Sequence, residues 1–254
     1  MSDDSGTGLP ASLEAAWGMR SRTSPGPKPG LTLERIVETA VQVAAAEGMA
    51  AVSMVRIAKE LGVSTMALYR YVAAKGELVD LMMDAGIGLP PTGQGNDPTG
   101  WRQGLSRWAW DYLTVLRRQS WILQVPITGP PITPNQIAWL ERGLADLRDT
   151  GLTESEKLSV IMLLSGFVRN WASLTVSTAL AGDQRATFRY GSTLSKLIDE
   201  QRFPAVSAAI AGGAIDDDQD DADAEFTFGL ERILDGIHVL MRKRHTQDFP
   251  DPDL

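Results

Sequence analysis

The clearest chemical pattern in this sequence lies between residues 53 and 71, where Gly62-Val63-Ser64 separates two short helical stretches. At helical spacing, the outward side of the second stretch carries Thr65, Met66, Ala67 and Arg70. These side chains are short or basic, and none is acidic. Phosphates repel long acidic side chains, so this surface suits a helix laid in the major groove of DNA.

Charge is distributed unevenly along the chain. The formal net charge is −8 over 254 residues, but the stretch from Arg20 to Lys75 has eight Lys or Arg and four acidic residues, a local charge of +4. A basic N-terminal part joined to an acidic body is expected when one end of a protein meets phosphate.

Other kinds of chemistry find little support. There is no cysteine, and the two histidines, His238 and His245, lack a paired metal-ligand spacing. The acidic run from Asp216 to Asp223 does not fit a calcium loop, because Asp221 falls where glycine is needed and Thr227 where glutamate is needed. We find no nucleophile with a base and an orienting group. The sequence therefore predicts no enzyme activity, no metal and no cofactor.

Four helices must position the outward residues. A first helix begins at the N-cap Thr32 and ends at Gly48, and a second follows Ser53. Gly62 supplies the turn, Ser64 caps the third helix, and the fourth runs from Lys75 to about Ile87. This is a helix-turn-helix; the simpler alternative is an αα-hairpin inside a helical core.

The whole chain is predicted to be all-α with two domains. Residues 1–30 are rich in Ser, Gly, Pro and Asp and are expected to form a flexible arm. Residues 31–90 form the helix-turn-helix domain, and residues 91–254 form a helical bundle. Its candidate helices are Thr99–Gln119, Asn135–Thr150, Glu154–Leu180, Gln184–Glu200 and Ala224–Arg244. No signal peptide or membrane span is expected, which favours a cytoplasmic protein.

Two motifs give the sequence a family resemblance. Leu61-Gly62-Val63-Ser64 followed by Leu68-Tyr69-Arg70-Tyr71-Val72, and then Lys75-x-Glu77-Leu78, resembles the helix 2–3–4 signature of TetR-family regulators. The resemblance covers roughly residues 31–88. It implies that Thr65, Met66, Ala67 and Arg70 approach base edges, that Tyr69 and Tyr71 donate to phosphates, and that Arg56, Ser64 and Lys75 complete the contact surface. One departure is Ala74, which stands where the family has a polar cap before the lysine.

Three further basic residues, Arg20, Arg22 and Lys28, precede the first helix. One hypothesis is that this arm enters the adjacent minor groove, as short arginine-bearing arms do elsewhere. A disordered tail with incidental charge is the alternative, and it is the simpler one.

The 27-residue stretch Glu154–Leu180 is apolar on most sides, which predicts a helix buried against its own domain and against a partner. The family resemblance implies that this helix and Ala224–Arg244 pair with their copies in a two-fold homodimer. A dimer also suits a palindromic site, whose half-sites lie one helical turn apart, about 34–36 Å.

Six tryptophans lie in the C-terminal part, and plain core packing explains some of them. The hypothesis from helical spacing and the resemblance is a pocket for an apolar, aromatic effector, with one amide as its polar anchor. Its lining residues would be Trp108, Tyr112, Trp139, Phe167, Asn170 and Trp171.

These observations predict a homodimeric repressor that binds a palindromic DNA operator and is released by a small effector. A ligand-independent architectural DNA-binding protein, or an activator, is the alternative. The presence or absence of a cavity in the C-terminal domain distinguishes the two. Effector identity, operator sequence and target genes do not follow from the sequence.

Overall fold

A computed structural model describes residues 7–19, 30–92, 100–127, 129–180, 190–215 and 222–248. Within these ranges the chain forms eleven α-helices and two short 3₁₀ helices, with no β-strand. The predicted all-α fold, with an N-terminal helix-turn-helix and a C-terminal helical domain, is confirmed.

The N-terminal helices follow the capping signals of the sequence. They are α1 (Ala11–Ala16), α2 (Leu33–Glu47), α3 (Met54–Leu61), α4 (Thr65–Tyr69) and α5 (Lys75–Ile87), with a 3₁₀ helix at Met49–Ala51. The hydroxyl of Thr32 accepts a hydrogen bond from the Arg35 amide at 3.2 Å and so caps α2. The Ile36 and Ala40 side chains are fully buried, so α2 lies at the centre of this part of the core.

The C-terminal helices broadly follow the predicted segments. They are α6 (Gly100–Arg118), α7 (Pro134–Asp146), α8 (Glu154–Leu180), α9 (Tyr190–Leu197), α10 (Pro204–Ala211) and α11 (Ala222–Asp248), with a 3₁₀ helix at Ser120–Gln124 between α6 and α7. The helix predicted over Gln184–Glu200 is described only from residue 190 onward, as α9. Helix α10 was not predicted, although Pro204 at its first position and an alanine-rich sequence are typical helix signals.

Helix α8 is the central element of the C-terminal domain. Leu164, Val168 and Ala172 on one side of it are fully buried, and the helix packs against α6, α7, α11 and the 3₁₀ helix Ser120–Gln124. Among the described residues, one stretch, Glu154–Val176, is long and apolar enough to cross a membrane by length and composition alone. The core helix of a globular domain has the same composition, so this feature is weak evidence for a membrane span.

Residues 11–16 differ from the sequence prediction. They were expected to belong to a flexible arm, but they form α1, which packs against α5. The Leu13 side chain is buried, and the Ser12 hydroxyl donates a hydrogen bond to Glu77 at 2.6 Å. The Trp17 indole N–H reaches the carbonyl oxygen of Ile132 at 3.0 Å, in the segment before α7. Helix α1 therefore contacts both domains.

A Leu13→Ala variant tests whether α1 is docked in solution. Loss of a buried leucine side chain costs about 2 kcal/mol or more, which corresponds to roughly 30-fold faster amide hydrogen exchange in residues 11–16. Hydrogen exchange followed by mass spectrometry measures this, with the exposed Ala15→Ser as the matched control. Fully exchanged amides in this segment of the native chain would instead support the flexible arm.

Candidate DNA-binding surface and effector site

The turn between α3 and α4 has the geometry that a helix-turn-helix requires. Gly62 ends α3 in the left-handed conformation, with φ 67° and ψ 31°. The Val63 amide donates to the Ala58 carbonyl at 2.9 Å, and the Ser64 hydroxyl accepts from the Ala67 amide at 3.3 Å. A residue with a side chain would be strained at this φ, so Gly62 fixes the angle at which α4 leaves α3.

The outer face of α4 is open to solvent. Met66 is 71% exposed and Tyr69 is 46% exposed, Arg70 is exposed, and Thr65 and Ala67 are partly exposed. Leu68, between them, is fully buried and anchors the helix to the core. The Arg70 guanidinium forms no ion pair with any carboxylate of the described residues, so its charge is available to a ligand.

Two tyrosines that the sequence grouped together occupy different environments. The Tyr71 hydroxyl donates a hydrogen bond of 2.7 Å to the carbonyl oxygen of Leu31, just before α2. In the DNA-free chain its proton is used within the chain, so the predicted donation to a phosphate would first have to break this hydrogen bond. The Tyr69 hydroxyl has no hydrogen-bond partner among the described residues.

Conservative substitutions at the two tyrosines should separate these roles. Tyr71→Phe is expected to lower the free energy of unfolding by about 1 kcal/mol, because one hydrogen bond is lost, with little change in DNA affinity. Tyr69→Phe is expected to leave stability unchanged and to weaken DNA binding about tenfold, because both subunits of a dimer lose a phosphate contact. Urea unfolding measures the stability, and fluorescence anisotropy on DNA measures the affinity. A Tyr71→Phe variant that loses DNA affinity and a Tyr69→Phe variant that loses stability would contradict these roles.

Arg56 lies on α3 beside two carboxylates. Its guanidinium pairs with Glu60 one turn along the same helix and with Glu47 of α2 at 2.7 Å. Hydrogen bonds to Glu60 and then Glu47 raise the pKa of Arg56 above its ordinary value. In the DNA-free chain this arginine is therefore neutralised by its neighbours, and a phosphate contact would have to compete with both carboxylates.

Helix α5 begins after Ala74, which has no polar side chain to cap the helix. Ala74 provides no side-chain hydrogen bond, but Glu77 accepts from the Ala73 amide at 3.2 Å and from the Ser12 hydroxyl. Glu77 thus holds the segment just before α5 and joins it to α1, but it does not cap the first amides of α5, and Lys75 is exposed beside it. Arg20, Arg22 and Lys28 lie outside the described residues.

The aromatic residues of the C-terminal domain form two separate groups. Trp108, Tyr112 and Trp139 are in mutual contact, with ring centroids 5.2–5.8 Å apart. Phe167 and Trp171 instead pack with Phe226 of α11, at 5.2 and 6.3 Å. No ring of one group contacts a ring of the other in the described part of the chain. The structure thus divides the predicted aromatic pocket residues between two groups of rings.

The indole N–H groups of these tryptophans have different partners. Trp108 donates to the Trp139 carbonyl at 2.9 Å, and Trp139 donates to the Gly88 carbonyl at 3.0 Å, just after α5. The Trp171 N–H is buried and has no hydrogen-bond partner among the described residues, unlike the N–H groups of Trp108 and Trp139. Asn170 is exposed and so does not line either group.

The two domains meet along a seam of polar and close contacts. The Asp84 carboxylate accepts from the Asn135 amide at 2.7 Å, and so an α5 side chain caps α7. Met49 N donates to the Gln124 side chain at 3.1 Å. A Cβ at Gly86 would lie 2.6 Å from Trp121 Cζ2, so only glycine fits there without displacing the indole. A displacement of the 3₁₀ helix Ser120–Gln124 would therefore also displace residues of α2 and α5, because it contacts both helices.

One face of α8 exposes an apolar stripe. Leu158, Met162 and Leu174 are exposed, Met162 by 74%, and Gly166 and Asn170 lie on the same line at four-residue spacing. Phe228 and Val239 of α11 are also exposed. Several large apolar side chains exposed along one helix face are a feature that protein interfaces share.

Metal chemistry finds no support in the described residues, where no group of three or more His, Asp or Glu side chains could hold an ion. His238 stacks on Trp101, with ring centroids 6.3 Å apart. The described end of the acidic run, Asp223, pairs with Arg117 at 2.8 Å. Residues 216–221 lie outside the described ranges.

Known proteins match both parts of the chain. Residues 36–82 match the family model for bacterial regulatory proteins of the tetR family, and residues 93–241 match the model for the tetracyclin repressor-like C-terminal domain. The HTH-type transcriptional repressor DrrR1 of Streptomyces coeruleorubidus is 38% identical over 263 residues, which cover 98% of this chain and 93% of that protein.

Solved structures agree with this assignment. The TetR family protein ActR of Streptomyces coelicolor, in complex with actinorhodin, is 27% identical with a TM-score of 0.71, over 84% of this chain and 99% of that one. Ligand-free ActR gives 27% identity and a TM-score of 0.65, over 82% and 96% of the two chains. The chain therefore belongs to the TetR family, and it is a transcriptional repressor with an N-terminal DNA-binding domain and a C-terminal ligand-binding domain.

Proposed function

We propose that this repressor acts in the cytoplasm as a homodimer that binds a palindromic operator and leaves it when a small aromatic or apolar effector binds. The observation that carries this proposal is the exposed apolar stripe of α8, in a chain whose recognition helix α4 also faces solvent. A single α4 contacts only a few base pairs, so a second copy is needed for a specific site.

The stripe supports pairing of two copies along α8 and α11. Gly166 lies in its middle, and a Cβ there would meet no described atom within 4 Å, so the chain itself leaves the space above it open. A small residue at the centre of an exposed apolar stripe lets two helices approach closely. Two-fold pairing of this kind gives two α4 helices in opposite orientation, which matches a palindrome.

The aromatic groups and the domain seam support release by an effector. Trp108, Tyr112 and Trp139 form a group of aromatic rings suited to a flat ligand, and Trp139 of this group donates a hydrogen bond to the Gly88 carbonyl at the end of α5. ActR, a structural relative, has been solved in complex with actinorhodin. A ligand that displaces the 3₁₀ helix Ser120–Gln124 shifts the population toward dimers whose α4 helices have the wrong separation.

Selection of bound fragments from random genomic DNA, at about 150 mM salt, tests the operator part of the proposal. The expected result is enrichment of one palindrome, with half-sites about 34–36 Å apart. Salt-sensitive binding with no enriched sequence would favour the architectural alternative. Enrichment of a single half-site would contradict the proposal that the protein binds DNA as a dimer.

A further inference from the structure

Arg169 is a partly buried cation of the C-terminal domain whose polar contacts, among the described residues, are with neutral oxygens. It is partly buried on α8, and its Nη2 donates to the carbonyl oxygens of Ile122 at 2.9 Å and Val125 at 2.5 Å. It also lies close enough to the Tyr112 hydroxyl to lower the pKa of that phenol, against the larger effect of burial. No carboxylate of the described residues forms an ion pair with it.

Other arginines of the same domain are paired differently. Arg142 pairs with Asp111 at 2.7 Å, Arg244 with Glu156 at 2.6 Å, and Arg117 with Asp223 at 2.8 Å. The carbonyl oxygens at the end of the 3₁₀ helix satisfy donors of Arg169 without neutralising its charge, whereas carboxylates neutralise the other three arginines. An anion placed here would gain Coulomb energy that the carbonyl groups do not supply.

Tyr112 adds a second polar group beside the guanidinium. Burial raises the pKa of Tyr112, against the opposing effect of Arg169, so its phenol is neutral at physiological pH. Its ring packs 5.2 Å from Trp108 and 5.4 Å from Trp139. A guanidinium and a phenol thus lie at the edge of a group of aromatic rings, which matches an aromatic ligand that carries an acidic group.

We propose that Arg169 and Tyr112 form a subsite for the acidic group, a carboxylate, ionised phenol or sulfonate, of an aromatic effector. The inference rests on the proposed function, in which the C-terminal domain binds such a molecule. The anion competes with the carbonyl groups of Ile122 and Val125 for the guanidinium. Binding therefore loosens the end of the 3₁₀ helix Ser120–Gln124, whose Gln124 contacts Met49 in the DNA-binding domain.

A pair of fluorescent probes with the same rings tests the subsite. 8-Anilinonaphthalene-1-sulfonate carries the acidic group, and N-phenyl-1-naphthylamine lacks it. The native dimer is expected to bind the sulfonate at least about tenfold tighter than the neutral probe. Arg169→Gln removes the charge but keeps an amide donor, and it should abolish this preference while leaving the neutral probe's affinity within about twofold. Arg117→Gln, an arginine already paired with Asp223, is the matched control.

The outcomes distinguish this proposal from the function on which it rests. If the neutral probe binds and releases DNA but Arg169→Gln weakens both probes equally, Arg169 only supports the fold, and the acidic subsite is wrong while the effector site stands. If Arg169→Gln leaves the preference unchanged, the subsite is also overturned. If neither probe binds, the proposed subsite and the proposed aromatic effector are both wrong. DNA binding is tested separately by the operator selection.

Discussion

A Met162→Glu variant is expected to be monomeric at concentrations where the native chain is dimeric, and to lose specific operator binding. Met162 is the most exposed large apolar side chain of the α8 stripe, and the dimer would bury it in two copies. An unpaired carboxylate in such an interface costs several kcal/mol, so the dimer dissociation constant should rise at least about 1,000-fold. A monomer holds only one half-site, and the gain from bivalent binding is lost. Analytical ultracentrifugation and anisotropy on the selected operator measure both effects.

Two further variants separate the effect of the interface from the effects of charge and of bulk. Ile127→Glu places the same charge on an equally exposed side chain outside the helices, and it should leave the dimer intact. Gly166→Leu adds bulk without charge; the single chain has room for it and gains helix propensity, so only pairing should suffer. A Gly166→Leu protein that remains dimeric and binds the operator would place the interface elsewhere.

An Arg70→Ala variant is expected to weaken operator binding about 30-fold or more. Arg70 is exposed on α4 without an ion pair among the described residues, and arginine pairs with guanine through two hydrogen bonds. Each such pair contributes about 1–3 kcal/mol, and a dimer loses two of them. Titration of the selected operator and of a non-specific fragment at the same salt concentration measures the loss.

Arg70→Lys separates base contact from phosphate contact. Lysine keeps the charge but not the planar two-pronged donor, so affinity and specificity should both fall if Arg70 reads a base. Native affinity in Arg70→Lys would assign Arg70 to the phosphate backbone. An Arg70→Ala protein with undiminished operator binding would remove Arg70 from the contact surface altogether.

The helix-turn-helix could be predicted because its signals are local. Thr32, Ser53 and Ser64 each accept a hydrogen bond from an amide three residues ahead, and Gly62 adopts the positive φ expected of it. Hydroxyl caps and glycine turns depend on a few consecutive residues, so a single sequence reveals them.

The environments of Tyr71 and Asn170 could not be predicted in the same way. The partner of Tyr71 is the Leu31 carbonyl, 40 residues earlier in the chain, and helical spacing carries no information about such a contact. Asn170 lies near Phe167 and Trp171 in sequence, but the helix turns its side chain to the exposed stripe instead. Periodicity identifies faces of a helix, whereas the packing of whole helices decides what each face meets.

Helix α1 was missed for a related reason. Leu9, Leu13 and Trp17 are large and apolar at four-residue spacing, but Pro10 follows the first of them, and the surrounding 30 residues have the composition of a disordered segment. The helix is held by contacts with Glu77 and Ile132, far away in the sequence. A six-residue helix gains little from its own propensity, so its presence depends on docking.

The seam between the domains bears on how such repressors can be recombined. A hybrid in which residues 31–90 are exchanged for those of a relative would bring a foreign residue against Trp121 at position 86, and a foreign partner for Asn135 at position 84. A larger residue at 86 would push the indole away, and loss of the carboxylate at 84 would remove the acceptor of the Asn135 amide at the start of α7. Transplanting the DNA specificity of this chain would therefore require α3 and α4 alone, with α5 kept from the recipient.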